Sequence, residues 1–158
     1  MRKALVGLAL LVGPAACWIV GSVTEEQVTE ANSNRVLSIG LHPSAIDYSR
    51  YPQLDAATLT ARIEAGEAAL RAAGFDFVSC QVPAEPAAAE AKLRECLADG
   101  GFRVAMIGAG VRMAAEHTLL FERLINVTTE LAPGIRFAFN TSPESTIDAL
   151  RRWVTPAG

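Results

Sequence analysis

The sequence predicts an α/β protein built on a parallel sheet, and two observations lead to this prediction. Short apolar runs alternate with longer stretches of helical spacing, and the runs cover residues 36–41, 75–82, 104–107 and 135–140. The intervening stretches are long enough for the crossover helices that parallel strands require. A chain of 158 residues has room for one such domain. We therefore expect a three-layer α/β/α domain with a small four-stranded parallel sheet.

Capping signals mark where the helices should begin and end. The first helix is expected to begin near Asp55 or Thr58 and to end at Gly74, a residue type that favours the left-handed conformation after a helix. The other three helices are expected at residues 87–98, 116–131 and 145–154. Together these elements predict a Rossmann-like domain over residues 35–155.

The expected strand order locates a binding site within this domain. Right-handed crossovers place helices on both faces of such a sheet. In the flavodoxin-like order 2-1-3-4, the direction in which strands are added reverses between strands 1 and 3, and ligands bind outside the carboxyl ends of the strands at this point. Two loops meet there, residues 42–52 after strand 1 and residues 108–117 after strand 3.

The N-terminal segment predicts an attachment to the membrane. Residues 4–23 carry no charge and follow Arg2 and Lys3. An apolar helix of about 20 residues spans about 30 Å, the thickness of a bilayer core. The preceding positive charges predict a single-pass signal-anchor over residues 1–23, with the domain outside the cytoplasm. Residues 24–34 are polar and acidic, as expected of a linker.

Two other interpretations of this segment stay open. Small residues before Cys17 are typical of a cleaved export signal, and the same stretch resembles a lipoprotein signal in which Cys17 would carry the lipid. Alternatively, translation starts later than the first Met and the domain is cytoplasmic.

The loops at the expected reversal carry candidate ligand-binding residues. Gly108 and Gly110 would allow a close approach of the backbone or a positive φ angle. Arg112 offers a planar guanidinium suited to a carboxylate or phosphate. Asn140 and Thr141 can donate hydrogen bonds beside the start of the last helix, where anions are favoured. These residues predict binding of a small anionic molecule, and an ordinary turn with a solvated arginine is the alternative.

The two histidines are the candidate catalytic residues. His42 follows strand 1 and His117 lies near the start of the third helix, so either could act as a general acid–base. This favours a hydrolase or transferase as the alternative function, whereas a loop or capping role would explain both residues without catalysis. Because no carboxylates cluster near them, we expect no metal site.

A protein-interaction module is the third functional class that the sequence allows. The third helix is apolar over a wide arc, which contains Leu119, Leu120, Phe121, Leu124 and Ile125. More apolar surface than one buried face requires would favour a homodimer.

The cysteines follow no recognisable pattern. Cys17, Cys80 and Cys96 include no CxxC pair, so we expect neither a disulfide framework nor a metal site. Cys80 is expected to pack in strand 2, and Cys96 to be a small, partly buried side chain on the second helix.

Composition and motifs exclude several functions. Without Arg2 and Lys3 the chain has 12 basic and 17 acidic residues, a balance unsuited to nucleic acid. The glycines within residues 108–110 lack the third glycine of a dinucleotide fingerprint, because Met113 stands in its place. The sequence contains neither a GxxxxGK[ST] phosphate loop nor a GxSxG nucleophile motif. We therefore predict no cofactor.

The segments IGLHPSAIDYS, IGAGVR and FERLINVTTELAPGIRFAFNT resemble a group of short bacterial α/β proteins of unassigned function, over about residues 35–154. This resemblance implies a domain that is complete without the N-terminal segment, and it implies no activity. The chain is also similar to flavodoxins and response-regulator receiver domains, in architecture alone. Receiver domains need acidic residues after strand 1 and a phosphoacceptor Asp after strand 3, where this chain has Leu41-His42 and Gly108-Ala109.

Overall fold

The computed structural model describes residues 34–156. The expected membrane segment and nearly all of the expected linker lie outside these residues. The strands are β1 (Arg35–Leu41), β2 (Phe77–Val82), β3 (Phe102–Ile107) and β4 (Arg136–Phe139). The α-helices are α1 (Ala56–Ala72), α2 (Pro86–Leu97), α3 (Ala109–Arg112), α4 (Thr118–Leu131) and α5 (Thr146–Arg151).

The four strands form one parallel sheet with β1 at its centre. β1 pairs with β2 on one side and with β3 on the other, and β4 pairs with β3. The order β2-β1-β3-β4 confirms the predicted order, and the reversal falls between β1 and β3. This arrangement is compatible with a Rossmann-like or flavodoxin-like architecture.

A separate hydrophobic core lies on each face of the sheet. The larger core lies between the sheet and helices α2 and α4, and it contains Leu37, Ile39 and Leu41 of β1. The smaller core lies between the sheet and helices α1 and α5, and it contains Val36 and Leu150. Helices on both faces give the three layers that the sequence predicts.

The end of α1 explains why β2 begins later than predicted. Gly74 has a φ angle of 79°, and its N–H donates to the carbonyl of Arg71 at 3.0 Å while that of Phe75 donates to Leu70 at 3.1 Å. These two bonds make a Schellman motif, in which the residue after the glycine packs back onto the helix. Phe75 is therefore part of the helix end, and β2 begins at Phe77.

Several other boundaries differ from the sequence predictions. A short helix, α3, occupies the stretch expected to be a loop after β3. Three-residue 3₁₀ turns precede the last two helices and occupy the loop after β1; they cover Pro43–Ala45, Tyr48–Arg50, Ala115–His117 and Pro143–Ser145. Such turns depend on local hydrogen bonds of the chain and leave no periodic apolar pattern to read.

The expectation that the cysteines form no disulfide was wrong, because Cys80 and Cys96 are bonded to each other. Cys80 is a buried residue of β2, and Cys96 lies near the end of α2, the helix that follows. The helix folds back over the strand, which brings the two Cα atoms to 6.0 Å. Cys96 lies seven residues after the buried Ala89, so that both lie on the helix face that meets the sheet.

Among residues 34–156, none of the helices has both the length and the apolar character needed to cross a membrane.

Breaking the disulfide should destabilise the domain. The bond joins residues 16 positions apart, and a loop of this size contributes about 3 kcal/mol to the free energy of unfolding. Urea denaturation with and without a phosphine reductant measures the loss. The Cys96→Ala variant is the control, because the reductant should not change its midpoint. An unchanged midpoint of the wild-type protein, with the bond verified as reduced, would contradict the prediction.

Candidate functional site

A cleft opens at the carboxyl edge of the sheet, where the strand order reverses. Its inner part is a cavity of about 160 Å³ between α1 and the sheet. Its outer part, of about 620 Å³, lies between the loop after β1 and the segments that follow β3 and β4. The two parts share several lining residues and form one continuous cleft; these residues are Ile46, Leu59, Ala109, Gly110, Ser142 and Pro143.

The floor of the inner cavity is a small, polar patch of the sheet. Side chains alternate along a strand, so β1 turns its large apolar residues towards α2 and α4, and Ser38 and Gly40 towards α1. The parallel register places Ser38 opposite Ser79 of β2, and Gly40 opposite Gln81. Within residues 34–156, neither the two hydroxyls nor the Gln81 amide has a hydrogen-bond partner. Three polar groups are therefore available to a bound molecule.

The roof of the inner cavity is one face of α1. Leu59, Ile63 and Glu67 recur at intervals of four residues, which aligns them along the helix, and all three line the cavity. Leu70 is the one residue of α1 that is buried, with 2% of its surface exposed. The helix thus packs firmly onto the sheet near its C-terminal end and leaves a space beneath its earlier turns.

Gly40 is the main reason why this space exists. It lies in the central strand, and a Cβ added to it would meet no atom within 4 Å. A side chain of ordinary size at this position would extend into the cavity. Since no backbone or side chain approaches the position, the glycine is not required by packing within the described part of the chain.

Two ion pairs cross the rim of the cleft. Arg50, in the loop after β1, pairs with Glu116 in the turn before α4. Arg62 of α1 donates two hydrogen bonds to the carboxylate of Glu144, at 2.8 and 3.0 Å. These bonds lower the pKa of Glu144 from its usual 4.5 to about 2. Both pairs are largely exposed, so each contributes at most about 1 kcal/mol.

Asn140 joins the elements on the far side of the cleft. Only 6% of its surface is exposed. Its Oδ1 accepts a hydrogen bond from the Ala109 N–H at 3.0 Å, and its Nδ2 donates to Thr146 Oγ1 at 2.8 Å. The Asn140 carbonyl accepts a third bond from Arg112 Nη2 at 2.6 Å. One side chain therefore fixes the end of β4 to the starts of α3 and α5.

Most of the predicted ligand-binding residues lie at the cleft. Gly108, Gly110 and Asn140 line its inner part, and Thr141 lines its outer part. The glycines that have positive φ angles in the described chain lie elsewhere. A Cβ added to Gly108 would lie 3.5 Å from the Ile39 carbonyl oxygen and one added to Gly110 would lie 3.8 Å from Leu41 Cδ1, which are ordinary van der Waals distances. Neither φ nor close approach therefore requires glycine at these two positions. Thr141 is exposed, and its N–H donates to Ser145 Oγ at 3.0 Å.

Arg112 lies outside the lining of both parts of the cleft. Its guanidinium is bonded to the Asn140 carbonyl and lies 5.3 Å from the centre of the Phe139 ring. Its Nε is buried without a hydrogen-bond partner within the described residues. The sequence showed an arginine after a glycine turn, which is equally consistent with a ligand contact and with the support of β4 that the structure contains.

The two histidines occupy different environments. His42 is exposed and caps the turn Pro43–Ala45, with its Nδ1 2.7 Å from Ser44 Oγ and accepting the Ser44 N–H at 3.2 Å. It does not line the cleft. His117 lines the outer cleft beside Glu116, and its ring makes no hydrogen bond to residues 34–156. The structure does not bring the two histidines together in one site.

The apolar arc of α4 is mostly used within the domain. Leu120 and Leu124 are buried, and Phe121 and Ile125 pack against the larger core. Leu119 is 69% exposed. Leu131, the last residue of the helix, is 41% exposed. The predicted homodimer stays a prediction, and these two exposed leucines give it little surface.

In the described chain, no three or more His, Cys, Asp or Glu side chains are grouped so that they could hold a metal ion.

The fold and the cleft together define a small parallel α/β domain with a ligand-sized cavity at the strand-order reversal. Comparison with known proteins does not assign this domain to a family. No protein-family model matches the chain, and neither a curated protein nor a solved structure matches it. The functional argument therefore rests on the geometry of the cleft.

Sequence reasoning missed the polar residues of the inner cavity. Ser38 and Gly40 interrupt an otherwise apolar strand at alternate positions, and Ser79 and Gln81 do the same in β2. In a sheet covered on both faces, such alternation marks a face that is not fully packed. Glu67 gave a comparable signal, because it stands four residues after Ile63 on the inward face of a helix.

Removing the Asn140 side chain should destabilise the domain. In Asn140→Ala the partly buried Ala109 N–H and the buried Thr146 hydroxyl both lose the Asn140 side chain as a partner, at a cost of about 1–3 kcal/mol in the free energy of unfolding. The neighbouring Thr141→Ala is the matched control, and its effect should stay within about 0.5 kcal/mol because Thr141 is exposed. Urea denaturation of the two variants tests the difference, and equal midpoints would refute the role given to Asn140.

Proposed function

We propose that the domain binds a small, largely apolar molecule that carries hydrogen-bonding groups, in the cavity beneath α1. The observation that carries this proposal is the open space at Gly40. Glycine weakens a strand interior, and it commonly marks a place where another backbone or a ligand approaches closely. Among residues 34–156, no atom approaches Gly40 in this way, and a ligand would explain the glycine.

The size and lining of the cavity agree with this proposal. A cavity of about 150 Å³ is large enough for a benzene-sized molecule, and the inner cavity has a volume of about 160 Å³. Leu59 and Ile63 supply apolar surface, while Ser38, Ser79 and Gln81 supply hydrogen-bonding groups without partners. Ligand pockets typically combine a mainly apolar lining with a few polar groups. The outer cleft gives access and room for a larger molecule.

The charges at the cleft do not favour the anionic ligand that the sequence suggested. The two arginines that line the outer part, Arg50 and Arg62, are each paired with a carboxylate. An anion would have to compete with Glu116 and Glu144 for them. The proposal is therefore for an uncharged or cationic molecule.

Catalysis has less support than binding. His117 has no carboxylate or carbonyl partner in the described chain that would orient its ring, as a general base usually needs. The His42–Ser44 contact lies outside the cleft and closes a local turn. A hydrolase or transferase therefore stays the alternative that the sequence suggested, without an observation in its favour.

Filling the cavity should abolish binding without unfolding the domain. In Gly40→Val the new side chain occupies the inner cavity, so the affinity for benzyl alcohol should fall by more than about tenfold, equivalent to about 1.4 kcal/mol. Because valine is favoured in strands, the unfolding midpoint should not fall. Saturation-transfer NMR with benzyl alcohol measures the binding, and urea denaturation measures the stability.

The matched control is Ala65→Leu, which enlarges an exposed residue of α1. It should bind benzyl alcohol like the wild-type protein. Failure of the wild-type protein to bind, or undiminished binding by Gly40→Val, would refute the proposal.

We also propose that the domain folds and works outside the reducing cytosol, attached to the membrane through residues 4–23. Two observations support this. The Cys80–Cys96 bond is of a kind that persists in oxidising compartments and is rare in the cytosol. The apolar segment preceded by Arg2 and Lys3 has the character of an export or anchor signal.

Thiol labelling in bacterial cells that express the full chain tests this second proposal. Proteins are denatured in acid, and a maleimide-polyethylene glycol reagent is added before or after reduction. We expect the membrane fraction to contain the chain, with two further cysteines labelled only after reduction. A chain in the cytosolic fraction with every cysteine labelled before reduction would refute it. The Cys96→Ala variant is the control and should gain no label on reduction.

A further inference from the structure

The inner cavity contains one charged side chain among the described residues that line it, the carboxylate of Glu67. The other polar groups of the lining are hydroxyls and amides, and the rest is apolar. Glu67 lies on the inward face of α1, between Ile63 and Leu70, where an apolar residue would be expected in a helix that covers a sheet. Its side chain is 19% exposed. Burying a carboxylate costs free energy unless a hydrogen bond or an opposite charge compensates for the lost water.

Glu67 has one partner within residues 34–156, and this partner bonds to only one of its two carboxylate oxygens. Arg71, one turn later, donates from Nη2 to Glu67 Oε2 at 3.3 Å. The Arg71 side chain is 63% exposed, and its guanidinium also lies 5.0 Å from the centre of the Phe77 ring. Oε1 of Glu67 accepts no hydrogen bond in the described chain. One carboxylate oxygen beside the cavity is therefore available to a donor from a ligand.

We infer that the cavity selects a small amine, with the ammonium of the ligand paired with Glu67 and its apolar body against Leu59 and Ile63. This inference rests on the proposed binding function and specifies the ligand class. A hydrogen bond in which both groups are charged is stronger than a neutral one, and a partly desolvated carboxylate strengthens it further. An anion of the same size is repelled by the same carboxylate.

The geometry of α1 supports this assignment. Leu59, Ile63 and Glu67 follow one another along a single line of the helix, so the lining is apolar at one end and acidic at the other. Ser38, Ser79 and Gln81 lie on the opposite wall, which belongs to the sheet. Their hydroxyl and amide oxygens can accept further N–H donors of an ammonium group. An amine attached to a small apolar ring or chain matches both ends of this lining.

Three probes of nearly equal size separate charge from shape. They are benzylamine, which is a cation at pH 7, benzyl alcohol, which is neutral, and benzoate, which is an anion. The full-length protein is titrated with each probe in detergent. The dissociation constants are obtained from the NMR chemical shifts of the α/β domain. We expect benzylamine to bind about tenfold more tightly than benzyl alcohol, and benzoate to bind more weakly than both.

Three substitutions test whether the preference comes from Glu67. In Glu67→Gln the preference for benzylamine over benzyl alcohol should disappear, while benzyl alcohol should still bind. Glu64→Gln removes a carboxylate from the exposed face of α1 and should retain the preference, so it is the matched control. Arg71→Gln removes the competing cation and should tighten benzylamine binding relative to the wild-type protein.

The outcomes distinguish this inference from the binding function on which it rests. Suppose that benzyl alcohol binds and that Gly40→Val prevents this binding. If benzylamine then binds no more tightly than benzyl alcohol, or still binds more tightly in Glu67→Gln, the amine inference is refuted and the binding function stands. If none of the three probes binds to the wild-type protein, both are refuted.

Discussion

The two faces of β1 determine how the rest of the domain is built. β1 is the central strand, so both of its faces must be covered by helices. One face carries Leu37, Ile39 and Leu41, and helices α2 and α4 pack onto it to form the larger core. Fully burying each such side chain contributes about 1.5–3 kcal/mol. The other face carries Val36 in the smaller core, followed by Ser38 and Gly40, which offer α1 little apolar surface. Stability therefore resides mainly on one side of the sheet, and the cavity lies on the other.

The position of α1 follows from this asymmetry. Its C-terminal end is fixed by Leu70 and by the Schellman motif that packs Phe75 against the smaller core. Its other end is held at the rim by the Arg62–Glu144 pair, which is exposed and weak. A Cβ added to Gly66 would lie 3.5 Å from the Pro143 carbonyl oxygen, so the middle of the helix passes close to the turn after β4. A helix that is buried only near its C-terminal end, and elsewhere touches the rim of the cleft, can cover a space without filling it.

The parallel architecture explains why the cleft is located where the strand order reverses. The crossover from β1 to β2 runs over one face of the sheet and that from β3 to β4 over the other, so the loops that follow β1 and β3 diverge. The Asn140 side chain then fixes the starts of α3 and α5 relative to β4. The proposed binding of a small molecule rests on this firm support on one side of the cleft and on the space beneath α1 on the other.

The periodicity of the sequence was sufficient to predict the four strands and their parallel pairing, because apolar spacing reports directly on which residues must be buried. The strand order, and with it the position of the cleft, was taken from the flavodoxin-like architecture, and the structure has that order. Chemistry at the ends of elements was less predictable. The sequence predicted that Arg112 contacts a ligand or is solvated. In the structure its guanidinium instead donates to the Asn140 carbonyl and lies over the Phe139 ring. The Cys80–Cys96 bond depends on how α2 folds back onto β2. The separation of the two cysteines along the chain does not give their distance in space.

By itself, the sequence determined which segments form the strands and which form the main helices that cover the sheet. Only the tertiary structure decided that the space lies beneath α1, that Gly40 opens it and that Glu67 lies in its wall. The physical reason is that the spacing of apolar residues within one segment shows which of its faces is buried. A cavity, in contrast, depends on how two such faces fit together. This cavity exists only after the polar face of β1 and the inward face of α1 have been brought together.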